Sequence, residues 1–176
     1  SNKFEKKIPN LNFSKLLTLL FFTIFFVLGL NIYKDYGLSV DEPFQRSLGY
    51  YWYIYLIETF TNNQELLVTT QNKFEAMYWS QYLSQGNLLQ YGIFFDTLAA
   101  FIEEILNIKD TQNAFYFKHF LTFCFFFISS IFFYKIVAER FGNKFYSIIF
   151  TFLYLSSPRI FAESFYNSRD IFFMCL

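Results

Sequence analysis

The chain is poor in cysteine and histidine, with two cysteines and one histidine in 176 residues. It has no C-x-x-C pair, no glycine-rich phosphate loop, no HExxH motif and no internal repeat, so the common motifs for zinc and nucleotide phosphate are missing. Cys124 and Cys175 both lie in apolar runs, where a free cysteine acts as a small apolar side chain. These absences argue against a disulfide framework and against a nucleotide-binding domain.

Charged residues make up only 16% of the chain, whereas 55% of it is hydrophobic and 26% aromatic, with 29 Phe and 14 Tyr. A compact water-soluble domain of this length does not have enough interior for that much apolar surface. The apolar surface that cannot be buried inside the protein must therefore face lipid. The composition therefore predicts an integral membrane protein.

The apolar runs are long enough to test against the thickness of a bilayer. Residues 16–33 would form a helix of roughly 27 Å, close to the hydrocarbon core, and no cleavage site follows, which favours an uncleaved signal anchor. We predict spans at about 15–33, 114–137 and 143–157, and a fourth that starts at 171. Because the chain begins with Ser and stops inside an apolar run, we expect residues 1–176 to be a single N-terminal transmembrane module that lacks the C-terminal part of its protein.

Lysine and arginine are distributed unevenly between the two sides of these spans. Residues 1–15 carry four and residues 135–144 carry three, whereas the much longer stretch 34–118 carries five, against ten acids. Cytoplasmic segments are enriched in Lys and Arg. This pattern predicts a cytoplasmic N-terminus and an outer loop at 34–113.

The outer loop is too long to lack structure of its own. Residues 44–60 are rich in Tyr and Trp, which favour membrane interfaces, and residues 93–108 have the pattern of an amphipathic helix, as does much of 64–85. The fold class expected is an all-α integral membrane protein, a polytopic helix bundle with a long outer loop of amphipathic surface helices. The alternative for each such helix is that it only caps the bundle.

Two adjacent acids, Asp41 and Glu42, follow the first span and precede Pro43. Carboxylates on a loop can bind a metal ion or act as a general base. The same pattern also fits a simple helix start, with Asp41 as N-cap and Pro43 in the first turn. Both interpretations stay open at this point.

A second polar cluster follows the third span, on the same outer side. Its two arginines can bind a phosphate through charge-assisted hydrogen bonds, and an ordinary solvated loop is the alternative. Packing of the second and third spans beside the first would bring this cluster to the first one and to His119. The candidate residues of the cluster are Arg159, Glu163, Tyr166, Asn167, Arg169 and Asp170.

The order of these segments carries a family resemblance. It consists of one span, the acidic SVDEPF, a long loop, YGIFFDTLAAFIEEIL, a Lys-His pair at the second span, and SPRIFAESFYNSRD before the fourth. In this order the chain resembles the N-terminal part of GT-C class membrane glycosyltransferases, specifically the family 39-related protein mannosyltransferases and the aminoarabinose transferases. The absence of an HPPLGK-like run favours a bacterial relative.

The resemblance implies an enzyme that moves a sugar from a polyprenyl-phosphate donor to a lipid, glycan or protein acceptor on the outer face of the plasma (inner) membrane. It implies catalytic acids at Asp41 and Asp170, with Glu42 completing the acidic pair. We expect Arg159 and Arg169 to bind the donor phosphate. If a divalent metal ion takes part, Glu42 and His119 are its candidate ligands. Membrane lipids are the other expected partners, and no nucleic acid is expected.

Two other functions compete with this hypothesis. A transporter or flippase of a lipid-linked substrate would use charges near the middle of its spans, and these spans lack them. A non-catalytic assembly subunit would use the aromatic surface helices for docking. A co-purifying partner would distinguish it from an enzyme.

Overall fold

A computed structural model describes residues 13–86 and 93–175, and every regular element in those residues is an α-helix. The all-α prediction is confirmed for this part of the chain. Predictions that fall on Lys3, Lys6, Lys7, residues 87–92 and Leu176 lie outside the described residues. In chain order the helices are α1 (Phe13–Ile32), α2 (Glu42–Phe60), α3 (Gln64–Glu75), α4 (Ser80–Ser84), α5 (Phe94–Ile105), α6 (Thr111–Phe141), α7 (Lys144–Leu155), α8 (Pro158–Tyr166) and α9 (Ser168–Cys175).

Among the described helices, α1 and α6 are long and apolar enough to cross a membrane. They coincide with the predicted spans 15–33 and 114–137. The third predicted span, 143–157, corresponds to the 12-residue α7, which would rise only about 18 Å. It passes the same test only together with α8, from which it is bent by 67°. Pro158 opens α8, and a proline disfavours helical backbone at the residue before it, which explains the break.

The ends of α6 are fixed by local chemistry. Asp110 precedes the helix, and its side chain accepts the Asn113 N–H at 3.0 Å, which satisfies one free donor of the first turn. Gly142 ends the helix with φ +63°, a left-handed conformation that glycine adopts without steric cost. Asn143 then caps α7 through the Phe145 N–H. The short turn makes α6 and α7 an antiparallel hairpin.

Aromatic rings hold α1 against α6. Phe25 and Phe123 are buried, and the Phe123 ring also stacks on Phe165 of α8 with centroids 5.3 Å apart. A Cβ atom built on Gly29 would fall inside the Phe123 ring. The absence of a side chain at Gly29 therefore allows the close contact between the two helices.

The helices α2, α3, α4 and α5 lie in the segment predicted to be the outer loop and are called the outer helices below. They form a second core. Leu48, Tyr50 and Leu83 have no exposed surface and pack with Ile57 and Phe74. The helix predicted at 44–60 is α2, and one of its sides is buried against α5, whereas Tyr55 and Phe60 are exposed. The segment predicted at 64–85 divides into α3 and α4.

The helix α5 is amphipathic, as predicted for 93–108, but its carboxylates face the protein. Asp96 and Glu103 are 2% and 3% exposed, whereas Phe101 and Ile105 are 43% and 64% exposed. Buried acids are stable only when they are paired. Cations from α2, α6 and α9 supply that pairing, as described below.

Candidate functional site

The adjacent acids Asp41 and Glu42 point in opposite directions. Asp41 is exposed at the N-terminal end of α2, and its side chain makes no capping hydrogen bond. Glu42 is the first residue of α2 and has no exposed surface. The position predicted for an N-cap is correct, whereas the hydrogen bond that defines a cap is missing. The Asp41 carboxylate is therefore accessible from outside the protein.

The Glu42 carboxylate anchors α2 to α6. Its Oε1 lies 2.8 Å from His119 Nε2, and its Oε2 accepts the Ser39 N–H at 2.6 Å. The other ring nitrogen of His119, Nδ1, faces the Tyr33 carbonyl oxygen at 3.2 Å and so carries a hydrogen. The pair of Glu42 and His119 fixes the loop before α2 against both spans.

The same contacts test the predicted metal site. To bind a metal ion here, His119 would need a ring nitrogen with a free lone pair and Glu42 a free carboxylate. Instead, the two side chains contact each other, and each also contacts a backbone group. In the two described ranges, no group of three or more His, Cys, Asp or Glu side chains is arranged to hold a metal ion. The pair does not fit a metal site in this arrangement, and we assign it a structural role.

The second cluster divides into two parts. In α8, the Arg159 guanidinium is 84% exposed and donates to Glu163 at 2.8 Å. At the start of α9, Asn167 Nδ2 donates to Asp170 Oδ2 at 2.8 Å, and the Asp170 N–H donates back to the Asn167 side chain. Asp170 is exposed, like Asp41.

The segments that carry these two clusters are in contact. The Tyr36 ring stacks on Phe165 with centroids 4.7 Å apart and contacts Tyr166 at 6.1 Å. The Ser168 hydroxyl donates to Gln45 Oε1 at 3.1 Å. Burial, and the neighbouring Tyr166, raise the pKa of the Tyr36 hydroxyl above its usual value. The segment that carries Asp41 and the segment that carries Asp170 therefore share one contact surface.

The two arginines predicted to act together are bound to different acids. Arg159 pairs with Glu163 on its own helix, whereas Arg169 Nε donates to Asp96 Oδ2 of α5 at 3.1 Å. The Arg169 side chain is 16% exposed. Arg159 is thus the more accessible cation, and the charge of Arg169 is directed into the protein.

Sequence reasoning missed the buried charges of α5. Lys118 Nζ lies 3.0 Å from Asp96 Oδ1 and donates to Gln45 at 2.9 Å, and Arg46 binds Glu103 through two nitrogens. The spacing of seven residues between Asp96 and Glu103 places both acids on one face of α5. This seven-residue spacing of two acids, on the face of α5 opposite its exposed aromatic residues, was the sequence signal that could have indicated buried ion pairs.

A further network surrounds Tyr50. Its hydroxyl donates to Glu104 at 2.8 Å, and Glu104 also accepts from Lys73 at 2.6 Å. Burial raises the pKa of Tyr50 above its usual value, and the nearby carboxylates of Glu103 and Glu104 raise it further. The phenol therefore stays neutral and acts as a donor.

No protein-family model matches this chain, and no curated protein or solved structure matches it either. The geometry of the site and the resemblance of its motifs are the two grounds for a function.

Proposed function

We propose that this chain is part of a membrane glycosyltransferase that moves a sugar from a polyprenyl-phosphate donor to an acceptor hydroxyl. One observation carries the proposal. The exposed acids Asp41 and Asp170 lie on two segments that contact each other next to one end of α1. This arrangement agrees with the resemblance, in which acids from two outer segments serve one reaction.

Asp41 takes the role of general base. A hydroxyl group is a weak nucleophile near neutral pH, and a carboxylate that accepts its proton contributes about 10²- to 10⁴-fold to the rate. The acceptor oxygen attacks the anomeric carbon as its proton passes to Asp41, and the bond from that carbon to the lipid phosphate oxygen breaks. The lipid phosphate leaves with the electron pair. Asp170 is the second acid of the site.

Arg159 is the better of the two candidates for the leaving phosphate. Its pair with Glu163 joins residues four apart on α8, where the Arg159 guanidinium is 84% exposed, and solvent-exposed ion pairs of this kind contribute little stability. A doubly charged phosphate can compete for this guanidinium. Arg169 would first have to leave the buried Asp96.

An apolar cavity beside α2 is suited to the lipid chain of the donor. It has a volume of about 640 Å³ and is lined by Tyr53, Ile57, Leu98 and Phe101, among others. Among the described residues, its lining contains no charged side chain, which suits an isoprenoid chain. Trp52, at the near end of the cavity, is 11 residues from Asp41, or about 16 Å along a helix.

The sequence of the spans weighs against a transporter. No charged residue occurs from Leu16 to Tyr33 or from Phe120 to Tyr134, whereas transporters bind substrate or ions with polar groups near the middle of the bilayer. The charges of this chain gather next to the ends of the spans. We place the reaction on the outer face of the plasma (inner) membrane, with the N-terminus in the cytoplasm, from the distribution of Lys and Arg.

The test is transfer of labelled sugar in proteoliposomes, from a panel of polyprenyl-phosphate sugars, by the full-length protein of which this chain is a part, since we do not expect residues 1–176 alone to be active. We expect Asp41→Asn to reduce transfer at least about 100-fold. Asp35→Asn, an exposed acid of the same loop, is the matched control and should keep wild-type transfer. Full activity in Asp41→Asn would show that Asp41 is not the general base. No transfer from any donor by folded wild-type protein would contradict the proposal that the protein is a glycosyltransferase.

A second experiment tests the cavity. Leu98→Trp fills it and should raise the KM for the donor with little change in kcat, because a lipid chain contributes equally to the ground state and the transition state. Leu106→Trp is the control, since Leu106 is exposed and lies outside the lining. An unchanged KM in Leu98→Trp would place the lipid chain elsewhere.

A further inference from the structure

We infer that Asp96 is a positioning residue that fixes α9, and with it Asp170, relative to the segment that carries Asp41. The inference rests on the proposed function for its catalytic meaning. Its structural content stands independently of that function. Asp96 belongs to α5, a helix that bears none of the candidate catalytic residues.

Asp96 holds two helices at once. Its Oδ1 lies 3.0 Å from Lys118 Nζ of α6, and its Oδ2 accepts from Arg169 Nε of α9 at 3.1 Å. The carboxylate has no exposed surface, so water does not weaken either interaction. Each oxygen serves a different helix, and the carboxylate therefore sets the distance between them.

The position of Asp96 is itself fixed by the backbone. A Cβ atom on Gly49 of α2 would overlap the carbonyl group of Asp96, so the two helices cross in direct backbone contact at this residue. Only glycine allows so close an approach. The carboxylate is therefore held by a helix crossing and does not depend on a flexible loop.

A second link closes the network near Asp41. Gln45 Oε1 accepts from both Lys118 and Ser168, and the Gln45 N–H donates to the Asp41 carbonyl oxygen at 2.9 Å. Asp41 is thus one helical turn from a residue bound to α9. Arg169, which Asp96 holds, is the neighbour of Asp170. Loss of the Asp96 charge would leave Lys118 and Arg169 facing each other across a neutral group, and like charges repel.

The experiment measures a distance, so it does not require enzymatic activity. The purified protein in nanodiscs, with Cys124 and Cys175 replaced by alanine, receives spin labels at Val40→Cys and Phe173→Cys. Val40 is 94% exposed beside Asp41, and Phe173 is 63% exposed one turn beyond Asp170. Double electron–electron resonance should give one narrow distance in the parent protein.

Asp96→Asn should replace this narrow distance by a broad distribution. Arg169→Gln should do the same while leaving the pair of Lys118 and Asp96 in place, so the inference remains testable if Asp96→Asn fails to fold. Glu104→Gln is the matched control. It removes an acid of α5 that binds Lys73 of α3 and does not contact α9, and its distance should stay narrow.

A second label pair separates positioning from general unfolding. Val40→Cys with Ile136→Cys of α6, which is 64% exposed, does not involve α9. We expect this distance to stay narrow in Arg169→Gln. A narrow parent-like distance between the labels at 40 and 173 in both Asp96→Asn and Arg169→Gln would overturn the inference.

In protein with measurable transfer, the same variants add a kinetic readout. Arg169→Gln and Asp96→Asn should lower kcat more than they change the KM for the donor, because they misplace Asp170 without removing it. A change confined to KM would contradict positioning. If no sugar transfer is found for any donor, the distance measurement still decides the role of Asp96.

Discussion

The apolar spans and the outer helices of this chain are stabilised in different ways. Where α1, α6 and α8 meet, the buried contacts are aromatic rings, such as Phe25 and Phe123. Where α2 and α5 meet α6, the interior contains ion pairs, among them those of Arg46 with Glu103 and Lys118 with Asp96. Apolar packing thus holds both regions, and the helices α2 and α5 add buried ion pairs to it.

This difference has a physical reason. In lipid, apolar side chains gain little from leaving their surroundings, so helices associate through close packing and small residues. Among the outer helices, the buried acids of α5 bind cations from α2, α6 and α9. A buried ion pair adds little net stability, but removal of only one of its two partners is costly, because the other charge stays buried without a partner. Charge in the outer helices therefore serves to fix geometry.

The largest expected effect comes from breaking a buried pair of the outer helices. Glu103→Leu leaves Arg46 buried without its carboxylate and should lower the free energy of unfolding by about 3–5 kcal/mol. The pKa of Arg46 is raised, because the Glu103 carboxylate outweighs the effect of burial. Denaturant unfolding followed by tryptophan fluorescence would measure the change.

The double variant Arg46→Met with Glu103→Leu should recover most of that loss, because no unpaired charge remains. Glu163→Leu breaks the pair with the exposed Arg159 and should cost much less than Glu103→Leu, because water screens an exposed pair. Equal costs for Glu103→Leu and Glu163→Leu would contradict the distinction between the two kinds of pair.

A smaller effect is expected from the apolar side. Gly29→Val forces a side chain into the Phe123 ring, and overpacking of this kind costs about 1–3 kcal/mol. Phe123→Leu in the same protein should restore part of the loss by making room. Gly37→Val is the control, since nothing lies within 4 Å of a Cβ atom at Gly37. Thermal unfolding in nanodiscs would compare the three variants.

The smallest expected effect depends on pH. The pKa of Tyr50 is raised in the folded state, by burial and then by Glu103 and Glu104, whereas in the unfolded chain it is about 10. The contribution of Tyr50 to the free energy of unfolding is therefore fully present below about pH 10 and decreases as the pH rises above that value. Tyr50→Phe should cost about 1 kcal/mol at neutral pH and lessen the alkaline decline. Tyr78→Phe, at an exposed ring, is the matched control for thermal unfolding measured from pH 7 to 11.

Apolar run length was enough to predict the helices of the spans, because α1 and α6 have no charge in their middle parts. It was also enough to expect contact between the two polar clusters. The pairing inside the site was not predictable. Asp96, Lys118 and Arg169 lie far apart in the chain, and the sequence shows no local pattern that joins them. They meet only in the folded chain, where α5 packs against α2 in backbone contact at Gly49 and Asp96.

The same limit applies to Asp41 and Glu42. The sequence does not show which of two neighbouring acids is buried. In the structure, Glu42 is the buried one, and it contacts His119 of α6. Arg159 and Arg169 are a second example, since one pairs locally on α8 and the other crosses to α5. Tertiary partners decide which charge is available to a substrate.

We assign Asp41 to the chemistry and Glu42 to the structure, and one paired measurement separates these two roles. Sugar transfer and the unfolding midpoint are measured together for Asp41→Asn and for Glu42→Gln. We predict that Asp41→Asn abolishes transfer at an unchanged midpoint, and that Glu42→Gln lowers the midpoint because His119 loses a buried partner. Wild-type transfer in Asp41→Asn, with transfer abolished in a fully stable Glu42→Gln protein, would contradict the account and move the base to Glu42.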